Sequence, residues 1–181
     1  MPPMHLNEVI QGCLAGNSSS QKELFDRLSG KMMAVCLRYS RDRMEAEDLL
    51  QESFIKIYHN LSSIKSEGNL EMWVRRIVVN TSIKRYHKLS YQNEAPSSDM
   101  MPDVEVGMNA YDSMVYDELL SMINELPDGY RIVFNLYAIE GYSHKEIAEL
   151  LNIKEGTSRS QLVKARMALQ EKFKKSQKMV I

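Results

Sequence analysis

Cysteine is scarce in this 181-residue chain: Cys13 and Cys36 are the only two. A pair makes neither a disulfide scaffold nor a metal knuckle, and a reducing cytoplasm is the simple expectation. Glycine (8) and proline (5) are too few for a collagen-like or low-complexity chain. Apolar runs are short, Ile77–Val79 for example, against the roughly 20 residues a membrane-spanning helix needs. No direct membrane insertion is therefore expected. The opening residues, MPPMHLNEV, show no charged start followed by an apolar core, so no export signal is visible. The histidines (His5, His59, His87, His144) stand apart, without HExxH or Cys/His spacing, and no glycine-rich loop follows a strand. The expectation is a protein without catalytic residue, metal, cofactor or small-molecule substrate.

What the chain does contain is an ordinary globular complement, 44% apolar and 26% charged residues, enough apolar side chain to offset chain entropy. The net charge of -1 conceals an uneven distribution. Apolar periodicity fails between Lys88 and Asp112, where Pro96, Pro102, Ser97, Ser98 and Gly107 supply turn chemistry. From Tyr91 to Asp112 five residues are acidic and none is basic. A structureless stretch of that length inside one domain is unusual, which predicts a flexible acidic linker at 91–112 between domains at 1–90 and 113–181.

Both flanking blocks read as helical, so the expected class is all-α. In the first block, helices are expected at about Leu6–Ala15, from Ser18–Ser20 to Tyr39 with a break at Gly30, at Met44–Ser62 and at Asn69–Lys88. Ala46, Leu50, Phe54, Ile57, Tyr58 and Leu61 form the apolar stripe of the third. Leu70, Trp73, Val74, Ile77, Val78 and Thr81 form that of the fourth. The second block predicts helices at about Ser113–Leu126, Gly129–Ile139, His144–Leu151 and Thr157–Lys174.

The sharpest local signal is GYSHKEIAELLNIKEGTSRSQLVKARMAL. Ser143 with Glu146 makes a capping box. Ile147, Ala148, Leu150 and Leu151 face inward, Ile153 plugs the corner, and Leu162, Ala165, Leu169 and Phe173 form the next apolar row. This is a helix-turn-helix, whose second helix enters the major groove N-terminus first. Arg159, Ser160, Gln161, Val163 and Lys164 lie off that row, with side chains able to pair with base edges or pack on a thymine methyl. Residues 143–181 hold nine basic and four acidic side chains, a net +5.

The helix at Asn69–Lys88 carries Arg75, Arg76, Lys84, Arg85 and Lys88 against one acid, Glu71. Arg76, Asn80, Lys84 and Lys88 repeat every four residues near aromatic side chains, a pattern suited to melted DNA. By contrast Glu45, Glu47, Asp48, Gln51 and Glu52 crowd the preceding helix, a surface that a duplex repels and a basic protein partner does not.

Taken together, AEDLLQESFIKIYHNL (46–61), LEMWVRRIVVNTSIKRYHK (70–88) and ELPDGYRIVFNLYAIEGYSHKEIAELLNIKEGTSRSQLVKARMAL (125–169) resemble the bacterial extracytoplasmic-function sigma factors, in order and spacing, over nearly the whole chain. The resemblance implies a factor that binds core RNA polymerase, directs it to promoters and helps melt the minus-ten element. It implies that Asp48, Gln51 and Glu52 grip the clamp of the polymerase largest subunit. Ser66, Glu67, Gly68 and Asn69, with Arg76, Asn80 and Lys84, would contact minus-ten DNA. Thr157, Arg159, Ser160, Gln161, Lys164 and Arg166 would contact the minus-thirty-five element. Further implied partners are the polymerase flap and an anti-sigma factor. Three departures from the family pattern stand out: Lys84 in place of a frequent Asp, Gln161 in place of a frequent Arg, and Ser158 in place of a usual Val. The alternative is a polymerase-independent helix-turn-helix regulator, although the first block lacks the βαβ pattern of a receiver domain.

Overall fold

A computed structural model of the chain describes residues 5–64, 69–92 and 118–178; all regular structure among them is helical. The molecule divides into two compact units, Met1–Ser97 and Ser98–Ile181. The all-α expectation holds.

The described residues of the first unit hold four α-helices, α1 (Leu6–Leu14), α2 (Ser18–Tyr39), α3 (Arg43–Asn60) and α4 (Leu70–Gln92), with a 3-10 turn over Leu61–Ser63 after α3. Gly16, at φ +75°, ends α1, and the next residue caps α2. That cap is Asn17, whose side-chain oxygen accepts from the N–H groups of Ser19 and Ser20 at 2.9 and 3.2 Å. The serines expected to cap α2 therefore lie inside it. The expected break at Gly30 is absent as well, because 22 residues of α2 pack on α1, α3 and α4, and tertiary burial outweighs one glycine. Gly12 is where α1 and α2 approach: a Cβ there would stand 2.0 Å from Ser20 Oγ. Asp42 caps α3 by accepting from Glu45 N–H at 2.7 Å, and the Glu45 carboxylate accepts from Arg41 N–H at 2.6 Å.

The core of this unit joins Val9, Leu24, Met32 and Val35 to Leu49, Phe54, Ile57, Val74 and Val78. Phe25 and Phe54 meet at 4.7 Å between centroids. The expected stripe of α4 is partly displaced. Trp73 and Ile77 are half-buried, whereas Val79, Ser82 and Ile83 are buried. Contact with both α2 and α3 turns a narrow stripe into a broad buried face. The thiols of Cys13 and Cys36 are buried and free, and burial pushes that of Cys36 up to about 12, so it stays a protonated apolar filler. Helix α4 runs to Gln92, so the first two residues of the expected linker belong to it; the remainder of that linker lies outside the described residues.

Among the described residues of the second unit, α5 (residues 118–124) is followed by α6 (Asp128–Phe134), which continues into a π-turn over Asn135–Ile139, then by α7 (His144–Leu151) and α8 (Glu155–Lys178). Leu120, Ile123, Leu126, Ile132, Val133, Leu136, Ile147, Leu162 and Ala165 fill its core. The buried Arg131 donates to Asn124 C=O at 3.0 Å and to the Asp128 carboxylate at 2.8 Å, tying α6 to α5. The capping box is present: Glu146 N–H reaches Ser143 Oγ at 3.3 Å, and the Glu146 carboxylate accepts Ser143 N–H at 2.8 Å. Asn152, at φ 53°, closes α7 in the left-handed conformation that asparagine tolerates. Helix α8 starts two residues before the expected Thr157. Phe173 departs from the expected apolar row: it is 54% exposed and lines an open groove with Leu119, Met122 and Leu169.

Candidate nucleic-acid interface

In the second unit the circumference of α8 is split. Ser158, Leu162 and Ala165 are buried against α6 and α7. Arg159, Ser160, Val163, Lys164 and Met167 are exposed, and their spacing of 1, 3, 1 and 3 keeps them on one side. Val163 and Met167 are 55% and 64% exposed, apolar groups that the helix does not use for its own packing. Each cation on this side has an intramolecular rest position. Arg159 bonds to Glu155 at 2.5 Å, Lys164 stands 5.9 Å from the Tyr130 ring centre, and Arg166 lies 5.7 Å from that of Tyr137. Thr157 is half-buried and accepts, through its backbone oxygen, a 3.0 Å bond from Ser160 Oγ. Gln161 is set apart from the exposed side: it is half-buried and its amide faces Gly129 on α6, where a Cβ would come within 3.1 Å. It is a poorer candidate for base contact than its sequence position suggested.

The first unit presents two surfaces. On α4, Arg76, Lys84 and Lys88 are exposed and Asn80 is half-buried between them, so the four-residue repeat forms one polar row. Asn69, at the foot of α4, is exposed; Ser66, Glu67 and Gly68 lie outside the described residues. Arg85, counted by sequence among the basic residues of this helix, turns away from the row. It faces α3, 3.6 Å from the Glu45 carboxylate and 3.9 Å from that of Asp48. On α3, Glu47, Asp48, Gln51, Glu52 and Ile55 are exposed, with Glu52 paired to Lys56 at 2.6 Å. An acidic side on one helix thus stands beside a basic row on the next. Among the described residues no cluster of His, Cys, Asp or Glu has the composition of a metal site, and no helix is long and apolar enough to cross a membrane.

Residues 24–90 match the family described as Sigma-70 region 2, and residues 116–169 match Sigma-70, region 4. Over 180 residues the chain is 30% identical to the ECF RNA polymerase sigma-E factor of Haemophilus influenzae, an alignment that spans 91% of this chain and 93% of that protein. The chain belongs to the ECF sigma factors. A second relative of this sigma factor, SigW of Bacillus subtilis, is 29% identical over 190 residues, covering 94% of this chain and 98% of that one. Its fold is similar to that of the sigma factor RpoE of Bartonella quintana, solved with the anti-sigma factor NepR. The TM-score is 0.56 and the identity 23%, over 84% of this chain and 96% of the other. Region 2 falls on α2–α4 and region 4 on α5–α8, the elements that carry the surfaces described above. The family comprises transcription initiation factors rather than enzymes.

Proposed function

We propose that this sigma factor divides promoter recognition and polymerase binding among the three surfaces. The exposed side of α8 reads the minus-thirty-five element in the major groove, with Arg159, Ser160 and Lys164 at its leading end and Thr157 and Arg166 at its margins. The row of Arg76, Asn80 and Lys84 on α4, with the segment Ser66–Asn69 before it, holds the opened minus-ten strand. Asp48, Gln51 and Glu52 dock on the basic clamp of core RNA polymerase, while region 4 meets its flap. The observation that carries this reading is the split circumference of α8: its inner side is consumed by packing, and its outer side exposes an Arg, a Ser and a Lys held only by local contacts, with two apolar groups beside them. Val163 and Met167 beside those cations give this side both the apolar and the hydrogen-bonding groups that base edges and thymine methyls take.

An anti-sigma factor is a further proposed partner, since the Bartonella relative of this fold was solved with one. It would act by covering the region 2 and region 4 surfaces, and co-expression with the right protein should then abolish binding to core polymerase.

The test is run-off transcription with purified core polymerase on a promoter library randomised at both elements. The expected result is enrichment of one minus-thirty-five and one minus-ten sequence. Arg159→Ala should flatten preference at one minus-thirty-five position, since a bidentate arginine discriminates by about 1–3 kcal/mol. Sequence-specific DNA binding without polymerase, and no transcription with it, would overturn the reading in favour of a free-standing regulator.

A further inference from the structure

A line of contacts leaves α8 and returns to it. Ser158, in the first turn, is fully buried, and its hydroxyl lies 2.9 Å from Nδ1 of His144. His144 opens α7, and its ring stacks on Tyr137 with centroids 4.5 Å apart and planes 21° from parallel. The Arg166 guanidinium rests 5.7 Å from the Tyr137 ring centre, two turns beyond Ser158 on the same helix. Tyr137 owes its place to the π-turn. Glu140 N–H bonds to Asn135 C=O five residues back at 3.0 Å, and the widened turn leaves Tyr137, Ala138 and Ile139 all facing outward.

We propose that His144 is a positioning residue for promoter recognition, fixing the first turn of α8 through Ser158 and holding, through Tyr137, the plate on which Arg166 lies. This rests on the reading of α8 as the minus-thirty-five helix. Two separable consequences follow from the geometry. The Ser158 link sets where the adjacent Arg159 and Ser160 stand. The Tyr137 link sets where Arg166 stands, and a guanidinium already resting on a ring loses less freedom when it meets a phosphate or a base edge. The neutral imidazole suits both tasks. Partial burial, then the charge of Arg159, lowers the His144 pKa; Arg166 adds to the effect and Glu155 opposes it. A neutral ring places no third positive charge beside the two arginines. The buried Ser158 hydroxyl, in turn, has its partner in His144, and a valine at that position would leave the ring nitrogen without it.

The links can be cut one at a time. Asparagine in place of His144 offers an amide atom where Nδ1 stands and so retains the bond to Ser158, but it cannot stack on Tyr137. The experiment is transcription by core polymerase with wild-type chain, His144→Ala, His144→Asn, Ser158→Ala and the double alanine variant, on templates randomised at the minus-thirty-five element. Minus-ten preference and core binding are measured on the same samples. His144→Ala should lower output from the preferred minus-thirty-five sequence by about tenfold and flatten its preference, with minus-ten preference and core binding unchanged. His144→Asn should restore the preference governed by Arg159. The double variant should be no worse than His144→Ala, because both alanines break one link. If output falls evenly over all minus-thirty-five sequences, or if the two single effects multiply, His144 is only a packing residue and the proposal is overturned. Should His144→Ala fail to fold, His144→Asn and Ser158→Ala carry the same comparison. Absence of any minus-thirty-five preference in the wild-type chain would instead refute the reading of α8, and the role of His144 with it.

Discussion

Reversing two charges on α3 should separate binding from folding. Asp48 and Glu52 have side chains 64% and 49% exposed, and their partners are Arg85 at 3.9 Å and Lys56 at 2.6 Å. Exposed pairs of this kind contribute about 0.2–1 kcal/mol each, and turning attraction into repulsion about doubles the loss. The variant Asp48→Lys, Glu52→Lys should therefore lose about 0.8–4 kcal/mol, below the roughly 5–15 kcal/mol of a typical domain. Against a basic protein surface the same change removes two favourable contacts and installs two unfavourable ones. Close charge pairs across interfaces couple by about 1.5 kcal/mol or more, so two of them amount to about 3 kcal/mol, a weakening of about a hundredfold. The assay is competition with labelled wild-type chain for core polymerase at physiological salt, with a thermal melt of each variant alongside. The double variant Glu23→Lys, Asp26→Lys on α2, which reverses the pairs with Arg27 at 2.7 Å and Lys22 at 2.5 Å and changes the charge by the same amount, controls for net charge. Binding within threefold of wild type would refute the docking argument. Equal weakening by the control would show that net charge, not this side of α3, is what polymerase senses.

Three further outcomes are expected. Gly30→Ala should raise the melting temperature of the first unit by an amount equivalent to about 0.5–1 kcal/mol, because nothing lies near a Cβ there, whereas Gly12→Ala should lower it by forcing α1 away from Ser20. Arg131→Met should destabilise the second unit by about 1–3 kcal/mol, read by urea unfolding, since it removes the buried guanidinium that bonds the half-buried Asp128 carboxylate and the Asn124 carbonyl. The second unit should weaken on acidification: the native pKa of His144 lies below its unfolded value of about 6.5, so the unfolded chain takes up the proton first and stability falls as pH drops through that value. Proton titration of His144 by NMR, with melts at pH about 7.5 and about 5.5, checks the sign, and His144→Asn should remove this contribution.

Most of the helices were legible because amphipathic spacing and the Ser143–Glu146 capping box are local signals. So was the inner row of α8, through Leu162 and Ala165. The misreadings share a cause. Whether Gly30 breaks a helix, whether Trp73 or Val79 faces the core, and whether Phe173 is covered depend on how many neighbours a helix has, which periodicity does not report. The caps Asn17 and Asp42 were within reach, Asp42 through its three-residue spacing to Glu45. Two features of the candidate surfaces were out of reach. Arg85 reaches Glu45 across 40 residues of sequence, and Ser158 reaches His144 across a turn. Neither pairing leaves a trace in spacing along one helix, and the rotation of Gln161 toward Gly129 is equally a property of the packed pair.

The division of α8 into an inner and an outer side has an evolutionary consequence. Exposed positions free of packing duties tolerate substitution within about 0.5 kcal/mol, far less than the margin that keeps a domain folded. Arg159, Ser160, Val163, Lys164 and Met167 can thus change almost without reference to stability, whereas Ser158, Leu162 and Ala165 cannot. If α8 reads the promoter as proposed, a lineage carrying this helix can drift from one promoter vocabulary to another by single steps, each leaving the inner packing row intact. Duplicated copies would then part company in the genes they serve long before they part company in shape.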